Sequence, residues 1–156
     1  GVVDHPKFGK IYAYETDGLG NYVHMDDANV PSLMSIPYLG YCDPEDPVYL
    51  NTRRFVLSHE NPYYYEGTFA CGVGSPHTPP EYIWQIALSM QGLTSSSKEE
   101  RLRLLDMLEN SDAGTGYMHE GFHKDDPSKF TRPWFAWSNS LFSEFVMFCL
   151  EKGDLD

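Results

Sequence analysis

The sequence RPWFAWSNSLFSEFVMFCLEK, at residues 132–152, predicts a long helix near the end of the chain. Pro133 suits the first turn of a helix, and Gly153 suits its end. Apolar side chains would lie on almost every face of this helix, so we expect it to be buried on most sides. The other helices predicted below are too few to surround it. The chain is therefore expected to be part of a larger structure.

Two helices directly upstream are predicted to form an αα-hairpin. The first covers residues 80–93, has one apolar stripe and is ended by Gly92. The second covers residues 96–110, where Ser96 and Glu99 form a capping box. Apolar residues would face inward on both, so the two helices should pack against each other.

Two shorter helices are predicted in the first half of the chain. An Asp-Pro pair at residues 46–47 starts a helix that continues to residue 57, because the aspartate caps it and the proline fits its first position. Asn29 is a candidate cap for a helix that extends to Leu39. The first 28 residues predict only a strand or extended loop pair, which turns at residues 17–20.

Long polar segments separate these helices. Residues 58–80 and 111–131 show no periodicity, and long irregular loops inside a compact domain usually carry function. Helices that alternate with such loops fit a toroid of helical hairpins, with loops at one end building a site. The predicted fold class is therefore all-α.

The charge and cysteine content exclude several kinds of partner. The net charge is −12 and no basic cluster exceeds the Arg53-Arg54 pair, which argues against nucleic acid and against an anionic membrane as partners. No apolar run approaches the ~18 residues of a membrane span, and no signal-peptide pattern opens the chain. Three widely spaced cysteines without a CxxC motif predict free thiols. We expect a soluble protein of undetermined compartment.

The five residues HEGFH at 119–123 support two incompatible chemistries. They match H-E-x-x-H, in which two histidines bind zinc and a glutamate acts on its water. That chemistry needs a helix and a third ligand, for which Glu144 is the best candidate. Nearby glycines and Pro127 disfavour a helix, and residues 126 and 129 lack the Gly and His of the extended motif. The alternative is a sugar-site loop with Glu120 as the catalytic carboxylate.

Seven stretches of the chain resemble glycoside hydrolase family 125, over a match that runs from about His5 to Glu151. They are YAYE at 12–15, MDDANVPSL at 25–33, NTRR at 51–54, GSPHTPP at 74–80, DAGTG at 112–116, HE at 119–120 and FTRPWFAW at 130–137. The family's enzymes are much longer, and the chain resembles only their C-terminal portion.

The resemblance implies an exo-α-1,6-mannosidase that acts with inversion on α-mannosides of N-glycan type, without metal or organic cofactor. It also implies an (α/α)₆ barrel, of which residues 1–156 would be a single C-terminal portion. By resemblance Glu120 matches the general base, and the general acid is expected upstream of this chain. The missing N-terminal portion of the barrel would then be a partner, and this chain alone should be inactive.

Other residues are candidates for the terminal-mannose subsite, each with a structural alternative. One of Asp26 and Asp27 is expected to contact sugar hydroxyls, while the other caps the Asn29 helix. Arg53 or Arg54 would hold a carboxylate, bind mannose hydroxyls or form a surface ion pair. His77 would contact the sugar or make a structural hydrogen bond. His119, also a candidate substrate contact, is expected with His123 to support Glu120.

Two other functions remain open on the sequence. Since the general acid is absent, the chain could be a non-catalytic carbohydrate-binding remnant. The zinc hydrolase based on His119-Glu120-x-x-His123 is the less favoured alternative. Of the aromatic residues, Trp134 and Trp137 begin the last helix beside the site loop. Core packing is expected for both, and the alternative is that one of them forms the floor of a sugar subsite.

Overall fold

The computed structural model describes residues 1–155, which form four helices and nine short strands. The helices are α1 (Pro47–Val56), α2 (Gln85–Leu93), α3 (Lys98–Glu109) and α4 (Ala136–Glu151). The strands are β1 (Val2–His5), β2 (Gly9–Tyr12), β3 (Glu15–Thr16), β4 (Tyr22–Val23), β5 (Tyr64–Glu66), β6 (Cys71–Val73), β7 (Tyr82–Trp84), β8 (Gly121–His123) and β9 (Asp126–Thr131).

The prediction of an all-α fold is wrong, because 19% of the chain is strand and the architecture is mixed. The strands pair antiparallel as β1-β2, β3-β4, β5-β6 and β7-β8-β9. Each is only two to six residues long, which is too short for the alternation of polar and apolar residues to be visible in the sequence. The same shortness hides the strands inside the segments predicted as loops.

The three-stranded sheet replaces the start of one predicted helix and much of one predicted loop. In its centre Phe122 pairs with Ile83 on one side and with Phe130 on the other. Phe122 and Ile83 are fully buried. Because residues 82–84 pair with β8, α2 begins at Gln85 and not at residue 80, and residues 111–131 are only in part a loop.

Helix α2 is the central element, since it packs against both α3 and α4. Its residues 85–92 are all buried. Gly92 does not end the helix as predicted, because α2 continues to Leu93 and Thr94 is its C-cap. The glycine instead permits close packing on α4, since an added Cβ there would lie 2.1 Å from the ring of Phe145. The predicted α2–α3 hairpin is present, but Ser97 caps α3, accepting from the backbone N–H of Glu100, in place of Ser96.

Helix α4 is buried along one stripe only. Ser138, Leu141, Phe145 and Cys149 face the core, whereas Met147 and Leu150 are 55% and 46% exposed. Trp134 and Trp137, expected in the core, are exposed as well. The helix also starts four residues later than predicted. Burial on most sides is therefore not reached within this chain.

The predicted helix at residues 29–39 is replaced by consecutive turns. The carboxylate of Asp26 accepts hydrogen bonds from the backbone N–H groups of Leu33 and Met34, at 2.8 and 3.0 Å. Such a side chain competes with helical hydrogen bonding. Among the described residues, no helix combines the length and the apolar character needed to cross a bilayer.

Candidate active site

Glu120 lies directly before β8 and is held there by its backbone. Its N–H donates to the carbonyl of Thr131 at 3.2 Å. The side chain is only 11% exposed, and its Oε1 lies 3.4 Å from Nε of Arg132. No group of residues 1–155 donates a hydrogen bond to the Glu120 carboxylate. Its lone pairs are therefore free to bind a water molecule from the open side of the loop.

His119 holds the Glu120 loop in place through contacts of its buried side chain. Its ring is fully buried and stacks on Phe130 with centroids 4.0 Å apart. Nδ1 lies 2.9 Å from the carbonyl oxygen of Pro133, and Nε2 lies 3.1 Å from that of Asp112. The backbone N–H of His119 donates to the side chain of Gln85 at the start of α2. Both ring nitrogens thus face backbone carbonyls and are not directed at Glu120 or at open space.

The geometry of residues 119–123 does not meet the requirement of a zinc H-E-x-x-H site. Residues 121–123 form strand β8, so the two histidines do not share a helical face. Nδ1 of His123 accepts from the backbone of Asp125, and its Nε2 lies 3.7 Å from Glu81. Within the described part of the chain, no group of three His, Cys, Asp or Glu side chains is arranged to hold a metal ion.

Asp27 lies in the loop that follows β4. Hydrogen bonds join this loop to the one at residues 74–80. Its Oδ1 accepts from the backbone and side-chain amides of Asn29 at 2.7 and 3.1 Å, and Tyr14 donates to its Oδ2 at 3.4 Å. The Asn29 amide also donates to Ser75 at 3.1 Å. The loop that carries Asp27 is therefore joined to residues 74–80, which carry His77.

Trp84 connects the His77 loop to the Glu120 loop. Its Nε1 donates to Thr78 at 2.9 Å, and its ring lies 6.5 Å from that of the exposed His77. A Cβ added at Gly121 would lie 3.0 Å from the Trp84 ring, so the glycine permits this close approach. Trp84 also contacts Phe135 edge-on at 6.4 Å. The structure thus brings together the loops of Asp27, His77 and Glu120.

Asp26, next to Asp27 in the chain, is fully buried. Besides the bonds to residues 33 and 34, its backbone N–H donates to the Asn61 side chain at 3.1 Å. Burial raises the pKa of Asp26 from 3.8 to about 7, although the two N–H groups favour the carboxylate. Both of its oxygens are bonded inside the chain, so Asp26 supports the loop on which Asp27 is presented.

Arg53 and Arg54 are not brought together with Glu120. The Arg53 guanidinium contacts both Glu100 oxygens at 2.9 Å and donates to the carbonyl of Gln91 at 3.0 Å, near the C-terminal end of α2. Glu120 lies near the opposite end of α2, and nine residues of helix span about 13 Å. Arg54 is exposed and donates to Asn51 at 2.6 Å. Of the alternatives for Arg53, the structure shows that it holds a carboxylate.

Three residues of the site were not singled out from the sequence: Arg132, Trp84 and Asn29 as a side-chain donor. Pairing of Gly121 with Thr131 in β8 and β9 places Arg132 opposite Glu120. Recognising this hairpin in the sequence would therefore have predicted that Arg132 lies beside Glu120. Its strands were too short to be recognised.

Comparisons with known proteins show which family the chain resembles. The family model of the metal-independent alpha-mannosidases (GH125) matches residues 1–147. The Meiotically up-regulated gene 157 protein of Schizosaccharomyces pombe is 53% identical over 153 residues, which cover 97% of this chain and 30% of that protein. A solved Streptococcus pneumoniae metal-independent alpha-mannosidase, in a non-productive complex with α-1,6-mannobiose, is 55% identical with a TM-score of 0.93. That match covers 96% of this chain and 35% of the solved chain, so the chain spans about a third of both relatives.

Proposed function

The chain belongs to glycoside hydrolase family 125, the metal-independent alpha-mannosidases, and on this premise we propose that it is the base-carrying portion of an exo-α-1,6-mannosidase. The proposed reaction removes a terminal mannose from an α-mannoside of N-glycan type with inversion of configuration. Support for the linkage comes from the α-1,6-mannobiose bound by the S. pneumoniae relative.

In the proposed mechanism Glu120 takes a proton from a water molecule. The water oxygen bonds to the anomeric carbon as the bond from that carbon to the leaving oxygen breaks. A second carboxyl group, roughly 6.5–9.5 Å from the first, protonates the leaving oxygen. Attack from the opposite face of the sugar ring gives β-mannose as the first product. The general acid is proposed to lie outside this chain.

One observation carries the proposal, namely the state of the Glu120 carboxylate. It is nearly buried beside one guanidinium, and no hydrogen bond from the described residues takes up its lone pairs. Since none of the described residues uses these lone pairs to hold the fold together, they remain available to a water molecule, which favours a role in chemistry. A general base must also be able to accept a hydrogen bond from its water.

The terminal-mannose subsite is proposed to use Asp27 and His77. Asp27 is 7% exposed and His77 is exposed, and both belong to loops joined to that of Glu120. Hydroxyl groups of a sugar match a carboxylate acceptor and an imidazole. Asp26, Arg53, Arg54 and His119 are bonded inside the chain, and we assign them to holding these loops and helices in place.

The rest of the enzyme is proposed to complete the site. It would supply the general acid and cover the exposed apolar side chains of α4. Both relatives are about three times as long as this chain. The chain alone is therefore expected to release no mannose.

The experiment is mannose release from α-1,6-mannobiose by the longest natural chain that contains this sequence, with a chelator present throughout. Proton NMR of the first product should show β-mannose. Glu120→Gln should lower kcat by about 100-fold or more. Glu60→Gln is the matched control, because this exposed glutamate also pairs with a cationic side chain, that of Lys7 at 3.3 Å. This variant should keep normal turnover.

Several outcomes would contradict the proposal. α-Mannose as the first product would mean retention, and normal turnover by Glu120→Gln would mean a different base. Binding of the mannobiose without turnover would favour the carbohydrate-binding remnant. Loss of activity with the chelator would mean that the reaction depends on a metal ion, as in the zinc interpretation of the HEGFH motif.

A further inference from the structure

We propose that Arg132 is a positioning residue that orients the Glu120 carboxylate toward its water. The inference rests on the proposed function of Glu120. It assigns a role to a residue that lies outside the predicted site, between β9 and α4.

The first observation is the placement of Arg132 across a strand pair. The pairing of Gly121 with Thr131 fixes the positions of the residues next to them, Glu120 and Arg132. Nε of Arg132 lies 3.4 Å from Oε1 of Glu120, and this is the one contact to the carboxylate from a charged group of the described residues. Since it engages Oε1, the other oxygen is left for a water molecule.

The second observation is the backbone of Arg132. Its φ is +49°, in the left-handed region that favours glycine. The residue before a proline normally prefers an extended backbone, and Arg132 precedes Pro133. A side-chain-bearing residue persists in such a conformation where the surrounding structure requires it, and such sites cluster at functional positions. Glycine would occupy this position without steric cost, so the guanidinium must serve another purpose.

The third observation is that the guanidinium is held on its other side. It lies 5.4 Å from the centroid of the Phe135 ring, in a cation–π contact. Phe135 is itself fixed, because its backbone N–H donates to the carbonyl of Met118 at 3.1 Å. Residue 118 belongs to the loop that carries Glu120. The guanidinium therefore joins an anchored aromatic ring to the carboxylate, although the arginine side chain is 64% exposed.

Together these contacts set the direction of a carboxylate that has no hydrogen bond of its own. Arg132 acts through Glu120 and does not need to touch the sugar. A misdirected base lowers the rate of the chemical step and leaves the ground-state affinity for substrate unchanged. This separates the role of Arg132 from substrate binding and from loop stability.

The test uses Arg132→Gly and Arg132→Lys in the longest natural chain that contains this sequence. Arg132→Gly removes the guanidinium and relieves the left-handed backbone, so its Tm should equal or exceed that of the wild type. Its kcat on α-1,6-mannobiose should fall about tenfold with KM within about twofold. Arg132→Lys should recover part of the loss. Ala113→Gly is the matched control, because Ala113 also has a positive φ, of +53°, and it should gain stability at unchanged kcat.

A crystal structure of Arg132→Gly gives a readout that does not depend on activity, and the Glu120 carboxylate should be rotated or in two orientations. The proposal is overturned if that carboxylate is unmoved, if kcat is retained, if KM alone rises, or if kcat falls only in step with Tm. Failure of the proposed function is distinct from these, since it would appear as normal turnover by Glu120→Gln or as no turnover in the wild type.

Discussion

At the scale of single residues, Asp26 should make the stability of the protein depend on pH. Its carboxyl is fully buried, and burial raises its pKa to about 7. Because this folded value lies above the unfolded value of 3.8, the stability that Asp26 contributes is fully present below pH 3.8 and is lost as the pH rises through 7. Between pH 5 and pH 8, the free energy of unfolding should therefore fall by on the order of 2 kcal/mol more in the wild type than in Asp26→Asn.

Urea unfolding of both proteins at several pH values measures this difference. His24 has the opposite sign, since burial first and His5 second lower its pKa, but it is common to both proteins and cancels. Asp26→Asn should be less stable at pH 5, because an amide oxygen replaces only one of the two acceptors used by residues 33 and 34. Parallel pH curves for the two proteins would show that Asp26 does not titrate in this range.

The sequence proposed a candidate reactive residue but not the residues that surround it. Glu120 was a candidate because its chemistry can be read locally from a short motif, and its role stays a prediction. Arg132 and Trp84 reach the site through strand pairs whose residues are 10 and 37 positions apart in the sequence, which no local pattern shows. Arg53 was open to three roles because a sequence does not reveal which carboxylate, here Glu100, lies within reach.

At the scale of helices and sheets, Gly92 controls the packing of α2 on α4. A Cβ at this position would lie 2.1 to 2.7 Å from three atoms of the Phe145 ring, which is fully buried. Alanine favours a helix by ~1 kcal/mol over glycine, but overpacking a core costs about 1–3 kcal/mol and occasionally more. Gly92→Ala should therefore lower the free energy of unfolding by a net amount of up to about 2 kcal/mol, as measured by urea unfolding.

A double mutant identifies the cause of that loss. Phe145→Leu removes the atoms that meet the added methyl group, at the expense of a cavity. Gly92→Ala combined with Phe145→Leu should be more stable than the sum of the two single losses predicts. Strict additivity, or a stabilised Gly92→Ala, would mean that α2 and α4 can move apart to accommodate the methyl group without a loss of stability.

Helices with strong end signals were predicted better than the other elements. The start of α1 is confirmed, because Asp46 caps it and accepts from Tyr49 as expected of an Asp-Pro pair. The start of α2 was missed because Tyr82–Trp84 continue the apolar pattern of the helix yet pair as a strand with β8. Residues 29–39 were mistaken for a helix because the competing carboxylate belongs to Asp26, whose backbone N–H donates to the side chain of the remote Asn61.

At the scale of the whole molecule, the exposed side of α4 is the feature least explained by the chain itself. Met147 and Leu150 are about half exposed on a helix whose other side is fully buried. Apolar side chains next to one another on a surface commonly mark an interaction site. That this helix needs further neighbours stays a prediction, and the all-α fold predicted with it is wrong.

Alanine substitutions in two lengths of chain test what covers α4. In the 156-residue chain Leu150→Ala should lower the free energy of unfolding by about 1 kcal/mol or less, because about half of the side chain is already in water. In the longest natural chain it should cost about 2 kcal/mol or more, as expected for a buried leucine. Met147→Ala should behave in the same way. Leu141→Ala is the matched control: the side chain is 6% exposed on the core side of the same helix, and its loss should be large in both chains. A small effect of Leu150→Ala in both would place this face in solvent and locate the rest of the enzyme elsewhere.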